Sequence, residues 1–167
     1  MQVTLLDFSS AWSAEAETTG LYGSTGPSRD EETVEYMPPE RLLDDSATKP
    51  SPTQDAWAIG VVLLEVLLGT RQAFQVDPRT RAFVEKSLRG RSQWEIEKAL
   101  LEAALADLCV LPKDATPCAP TDLLDELQER DPLEVGFASY LGVDGADFVS
   151  SLLARDPSER ALPSQAL

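Results

Sequence analysis

The stretch DAWAIGVVLLEVLLG, residues 55–69, decides the fold of this chain. Its apolar residues are broken only by Glu65 and run almost all round a helix, which predicts a buried central helix from about Asp55 to Leu68. Gly69 stands where a helix C-cap glycine is expected. The apolar run is shorter than the roughly 20 residues that span a bilayer, so a core helix is favoured over a membrane span.

Further helical patterns surround this segment. Ser92 and Glu95 have capping-box spacing and predict a helix from Ser92 to about Leu108, with Trp94 on its core face. Shorter helices are expected at residues 38–43, 121–130 and 147–154, with a helical stub from Pro163. Only Val3–Leu6 indicates a strand, and a lone strand needs a pairing partner outside this chain. The predicted fold class is therefore mainly α.

Composition and charge exclude several functions. The 167 residues carry 14 Lys and Arg against 29 Asp and Glu, a net charge of −15 that disfavours nucleic acid and membrane surfaces as partners. The chain contains no histidine, so it holds neither a Ser-His-Asp nor a Cys-His catalytic group.

Cys109 and Cys118 are interpreted as reduced structural residues. Together with the absence of a signal-peptide pattern at Met1–Asp7, they favour an intracellular, cytoplasmic location, with nucleus or organelle left open.

Four motifs occur in an informative order: VTLLDFS at 3–9, TVEYMPPE at 33–40, DAWAIGVVLLE at 55–65 and FVSSLLARDPSER at 148–160. Each motif is weak alone, but together they resemble the C-terminal lobe of eukaryotic-type protein kinases. The resemblance covers about residues 2–70 and 145–167. The intervening residues 71–145 depart from the family pattern and are interpreted as an expanded helical insert that docks a protein partner.

The resemblance implies a nucleotide and metal site at Asp7. This residue matches the family's Asp-Phe-Gly aspartate, which holds the Mg²⁺ that bridges the phosphates of ATP. A carboxylate suits Mg²⁺ because this hard cation prefers oxygen ligands. Ser9 replaces the family's glycine and lacks its access to positive φ.

The second motif, by resemblance, closes an activation segment that spans residues 9–40. Thr33, Tyr36 and Pro39 would form the substrate-docking loop, and Thr33 indicates a Ser/Thr kinase. Glu40 would be structural and would form a bidentate ion pair with Arg160 of the fourth motif. Asp55, Trp57 and Gly60 would be structural residues of the central helix, with Asp55 supporting the backbone of a catalytic loop.

The expected function is ATP-dependent phosphoryl transfer to protein Ser/Thr, with residues 1–167 as a partial kinase domain that includes late helices at 146–167. The family's Gly-rich loop, strand lysine and catalytic loop do not occur in this sequence, so the chain alone is expected to be inactive and to expose apolar surface. A non-catalytic pseudokinase scaffold is the alternative. A third hypothesis, an unrelated acidic helical regulator, predicts no contact between Glu40 and Arg160.

Overall fold

A computed structural model describes residues 4, 11–13, 15, 18–20, 33–42, 50–110 and 118–162 of the chain. Six α-helices lie entirely within these ranges: α1 Pro39–Leu42, α2 Pro52–Leu68, α3 Pro78–Ser87, α4 Gln93–Asp107, α5 Pro120–Arg130 and α6 Val143–Leu152. Short 3₁₀ turns lie at Val34–Tyr36, Ala138–Tyr140 and Pro157–Glu159. The described residues contain no strand, so the fold is mainly α as predicted. The predicted strand Val3–Leu6 and the stub from Pro163 lie outside the described residues.

The central helix α2 begins and ends at strong local signals. Ser51 caps its N-terminus by accepting a hydrogen bond from the N–H of Thr53, and Pro52 occupies the first turn. Gly69 ends the helix in the left-handed conformation, with φ of 64°. Helix α2 therefore starts three residues earlier than the sequence pattern predicts and ends where expected.

One hydrophobic core surrounds α2. Trp57, Val61 and Leu64 pack with leucines of α4 and α5 and with residues of the late helix. Each fully buried leucine stabilises such a core by about 1.5–3 kcal/mol. The buried apolar residues beyond α2 include Leu105, Leu108, Leu123, Leu127, Val149 and Leu153.

The surface of α2 corrects one expectation. Ile59, Val62 and Val66 remain 46–49% exposed, although the pattern predicted a helix buried on nearly all sides. They recur at helical spacing and so share one face. Trp94 of α4 is likewise exposed, at 38%, where the sequence predicted a core residue. The predicted exposed apolar surface is present, and it includes a face of the central helix.

The region 71–145 contains more helix than the sequence indicated. The capping box of Ser92 and Glu95 starts α4 as predicted, and α5 begins at Pro120, one residue before the predicted start. Helix α3 was not predicted. Its N-cap Asp77 accepts hydrogen bonds from the N–H groups of Arg79 and Thr80. The helix buries none of its residues, so it has no apolar periodicity to detect.

Cys109 and Cys118 form a disulfide, and the prediction of reduced cysteines is wrong. The two residues are nine positions apart and join the end of α4 to the start of α5. Sequence spacing alone could not show that the two helix ends approach each other.

Among the described residues, no helix combines the length and apolar character needed to cross a bilayer.

Candidate protein-docking site at the start of the central helix

Residues 33–42, called the docking segment below after the role that the sequence predicts, are compact and lie against the central helix. A 3₁₀ turn at Val34–Tyr36 is followed by buried Met37, Pro38 and Pro39 and then by α1. The N–H of Tyr36 donates to the carbonyl of Thr33 at 3.1 Å, and the N–H of Arg41 donates to the carbonyl of Pro38 at 2.9 Å. Of the predicted docking residues, Thr33 is exposed, Tyr36 is partly buried and Pro39 is buried.

Tyr36 connects this segment to the last turn of α2. Its hydroxyl donates a hydrogen bond to the carboxylate of Glu65 at 3.2 Å. Partial burial raises the pKa of the Tyr36 phenol above its usual range, and the hydrogen bond to Glu65 acts in the same direction. The phenol therefore stays protonated at neutral pH and can serve as the donor in this contact.

Glu40 and Arg160 form the bidentate pair that the motifs predict. The two terminal nitrogens of Arg160 donate to the two carboxylate oxygens of Glu40 at 2.7 and 2.6 Å. The Arg160 side chain is fully buried and the Glu40 side chain is 17% exposed. Because water screens such a pair poorly, each charge depends on the other for compensation. The hypothesis of accidental motif matches predicted no contact here and is wrong.

Arg160 satisfies all its remaining donors with backbone carbonyls. Its Nε donates to the carbonyl of Ala154 at 2.7 Å, and its terminal nitrogens donate to Thr53 at 3.1 Å and Arg155 at 3.3 Å. The guanidinium also lies 5.1 Å from the ring centroid of Trp57. One side chain thus joins the docking segment, the first turn of α2 and the loop after α6.

Two of the predicted structural residues of α2, Trp57 and Gly60, are closely packed. Trp57 is 1% exposed and stacks on Phe74 with ring centroids 6.3 Å apart. Gly60 packs so closely on α6 that a Cβ atom there would lie 2.8 Å from the Leu153 side chain. The sequence motif predicted structural roles for Trp57 and Gly60, and both residues are tightly packed.

Asp55 takes no part in these contacts. The residue is solvent-exposed, yet partial desolvation raises the pKa of its carboxyl above the usual range. No hydrogen-bond donor among the described residues compensates this carboxylate. The predicted role of Asp55, support for a catalytic loop, therefore involves residues that the described structure does not contain.

Asp7, which the sequence predicts to bind metal and nucleotide, lies outside the described residues, as does Ser9. In the part that the structure describes, the single cluster of potential metal ligands is Cys109, Cys118 and Asp122. Two of these ligands are sulfur atoms bonded to each other. This set does not fit Mg²⁺, which prefers oxygen ligands.

A cavity of about 560 Å³ lies beside the docking segment, between α2 and helices α3 and α4. Its walls combine apolar side chains with the charged residues Glu35, Glu65, Arg71, Arg81, Glu97 and Lys98. The sequence does not show that these residues are neighbours, because they come from separate stretches of the chain and form no motif.

The family assignment follows from comparison with known proteins. The model of the protein kinase domain matches residues 1–167, and this chain belongs to that family. Its mainly helical fold is that of a kinase C-terminal lobe. A curated relative, a "probable inactive protein kinase" of Arabidopsis thaliana, is 32% identical over 185 residues, covering 98% of this chain and 48% of the relative. The chain thus spans about half the length of that relative. No solved structure matches the chain.

Proposed function

We propose that this chain forms the protein-docking part of a protein kinase, and that the intact kinase transfers the γ-phosphoryl group of ATP to protein Ser or Thr. The observation that carries this proposal is the buried Glu40–Arg160 pair, which fixes residues 33–42 against the start of α2. In kinases this segment receives the protein substrate, and exposed Thr33 lies at its beginning.

Asp7 would bind Mg²⁺ in the intact kinase, and the bound Mg²⁺–ATP would supply the phosphoryl group. This chain's own contribution is positional. The docking segment holds a substrate hydroxyl in place, and Tyr36 ties that segment to Glu65 of α2. Asp55 would accept hydrogen bonds from the catalytic-loop backbone, which would relieve the unfavourable environment of its carboxylate.

A non-catalytic scaffold is the second candidate function. Ser9 stands where the family has glycine, and the Arabidopsis relative is described as a probable inactive kinase. A scaffold would use the same docking segment to hold a protein without phosphorylating it.

The deciding experiment maps the 5′ end of the native transcript and expresses the encoded protein. Mg²⁺–ATP binding is measured by calorimetry, and phosphoryl transfer is measured on Ser, Thr and Tyr peptide libraries. Transfer to Ser or Thr that is lost in Asp7→Asn supports the kinase. Transfer to Tyr only overturns the Ser/Thr assignment and leaves a tyrosine kinase. No transfer at all despite a folded protein overturns the kinase proposal and favours the scaffold. The 167-residue chain is expected to be inactive in the same assay.

A further inference from the structure

The segment that follows α5 exposes an unusual density of large apolar side chains. Leu133 and Tyr140 are 84% and 80% exposed, Val135 is 67%, Phe137 is 58% and Val143 is 50%. Scattered exposed apolar residues are normal on protein surfaces, but a concentration of them marks an interaction site. These five residues are called the 133–143 apolar surface below.

The backbone beneath this surface is held rigidly. Asp131 is buried, and its carboxylate accepts hydrogen bonds from the N–H groups of Val135 at 2.7 Å and Gly136 at 2.8 Å. The N–H of Phe137 donates to the carbonyl of Leu67, at the end of α2, at 2.9 Å. The loop is therefore anchored on both sides while its large side chains face solvent.

Close packing adds a second constraint on the same loop. A Cβ atom on Gly136 would lie 2.0 Å from the carbonyl oxygen of Leu67, so only glycine fits there. Ala138, between the exposed Phe137 and Tyr140, is 1% exposed and belongs to the core. A surface whose backbone is already ordered loses less conformational entropy when a partner binds.

Two aromatic rings of this surface lie close together. The rings of Phe137 and Tyr140 have centroids 6.3 Å apart and are tilted by 49°. Exposed aromatic side chains are frequent binding hot spots, because they bury a large apolar area with few rotatable bonds. These two residues are the expected anchors for a partner.

The charge around the surface selects the partner. Residues 132–147 expose Glu134, Asp144 and Asp147 and contain no Lys or Arg, whereas the carboxylate of Asp131 is buried and bonded to the loop backbone. The whole chain carries a net charge of −15, so a second copy would be repelled electrostatically. A partner that combines apolar side chains with Lys or Arg would satisfy both the apolar and the acidic character of the region.

We propose that the 133–143 apolar surface binds an amphipathic, basic protein segment. This interaction is independent of phosphoryl transfer and would operate in a kinase and in a scaffold alike. The proposal assigns the protein-docking function of the 71–145 region to a surface at the C-terminal end of α2. The Glu40–Arg160 pair lies at the N-terminal end of the same helix.

The test uses the 167-residue chain and a labelled amphipathic helical peptide of leucine and lysine, with binding followed by fluorescence anisotropy. Phe137→Ser combined with Tyr140→Ser is expected to weaken binding by about tenfold or more. Phe83→Ser is the matched control, because Phe83 is an equally exposed aromatic residue, at 69%, on α3. Circular dichroism of each variant verifies that the helical fold is retained.

Two further probes separate the apolar and the electrostatic contributions. A peptide with glutamate in place of lysine, and one with serine in place of leucine, are both expected to bind at least about tenfold more weakly than the original. Glu134→Lys combined with Asp144→Lys should also weaken binding of the basic peptide.

Several results would overturn the proposal: no binding of the leucine–lysine peptide, equal binding by the Phe137/Tyr140 variant, or equal binding of either altered peptide. A dimer in sedimentation experiments that is lost in the Phe137/Tyr140 variant would assign the surface to a second copy instead. Failure here leaves the kinase assay unaffected, because that assay reads phosphoryl transfer.

Discussion

The two ends of the central helix α2 are held by opposite chemistry. At the N-terminal end a buried cation, Arg160, donates hydrogen bonds to Glu40 and to the carbonyl of Thr53. At the C-terminal end a buried anion, Asp131, accepts hydrogen bonds from a loop that is itself bonded to the carbonyl of Leu67. The first end joins residues 120 positions apart, whereas Asp131 bonds residues only four and five positions away.

This difference separates a contact between two distant sequence motifs from a contact within one loop. The Arg160 contact joins two family motifs, so a change at either residue affects the docking segment and the late helix together. The Asp131 contact shapes one local loop and presents an apolar surface. The two ends should therefore respond differently to substitution.

The largest expected effect is at Arg160. Arg160→Met leaves the Glu40 carboxylate without its partner and should lower the free energy of unfolding by about 3–5 kcal/mol. The measurement is urea unfolding followed by circular dichroism. Arg155→Met, which removes an exposed arginine from the same loop, should change the free energy by no more than about 0.5 kcal/mol.

A double substitution sharpens this test. Arg160→Met combined with Glu40→Met removes both charges and should be less destabilised than Arg160→Met alone. Equal or greater destabilisation in the double variant would show that packing and the carbonyl contacts of Arg160, rather than the buried charge, hold this end of the helix.

Removing the Cys109–Cys118 disulfide tests whether the region at the N-terminal end of α2 depends on this bond for its stability. Cys109 and Cys118 line one cavity together with residues 154–157, beside the loop whose carbonyls bind Arg160. Closing a loop of this length should contribute about 2–3 kcal/mol, so Cys109→Ser combined with Cys118→Ser should lower stability by that amount. Dithiothreitol should lower the stability of the unsubstituted chain similarly and leave the variant unchanged. No effect of the reductant would show that the cysteines are unpaired in solution.

At the C-terminal end the sharpest change is Gly136→Ala. The new Cβ would collide with the carbonyl oxygen of Leu67, and relief of the clash should cost about 1–3 kcal/mol. Gly142→Ala is the control, because a Cβ atom added there would meet no other atom within 4 Å. Gly142 is the N-cap of α6, where alanine is less favourable than glycine, so the expected cost is below about 1 kcal/mol. Similar unfolding midpoints for the two variants would argue against close packing of this loop on α2.

The smallest expected effect is a pH dependence at Asp55. Its pKa is raised in the folded chain, so the chain loses stability as pH rises through the folded pKa. Asp55→Asn removes the charge and should stabilise the chain by less than about 1 kcal/mol at neutral pH, because the residue is exposed. The gain should disappear in acid, where Asp55 is neutral in both states.

Asp77→Asn is a control of opposite sign. Hydrogen bonds from Thr80 lower the pKa of Asp77, so its stabilising contribution is present above the unfolded pKa and lost as pH falls through the folded pKa. This variant should be destabilised at neutral pH and match the parent in acid. Destabilisation by Asp55→Asn at neutral pH would mean that the Asp55 charge is favourable in the chain.

The sequence by itself determined the central helix, its C-cap at Gly69, the α4 capping box and the Glu40–Arg160 pair. The helix features depend on local capping residues and on helical periodicity. The ion pair was predicted from motifs that occur in the sequence in the same order as in the family. The family match covers residues 1–167, whereas the motifs in the sequence identified the family over about residues 2–70 and 145–167.

Tertiary structure alone decided the Cys109–Cys118 disulfide, the exposed face of α2, the exposed Trp94 and the 133–143 apolar surface. Each depends on which segments meet in space, and apolar residues carry the same pattern whether they face a core or an open surface. Asp131 is the clearest case. It looks like an ordinary turn aspartate in the sequence, and only burial against the end of α2 makes it the residue that holds the loop.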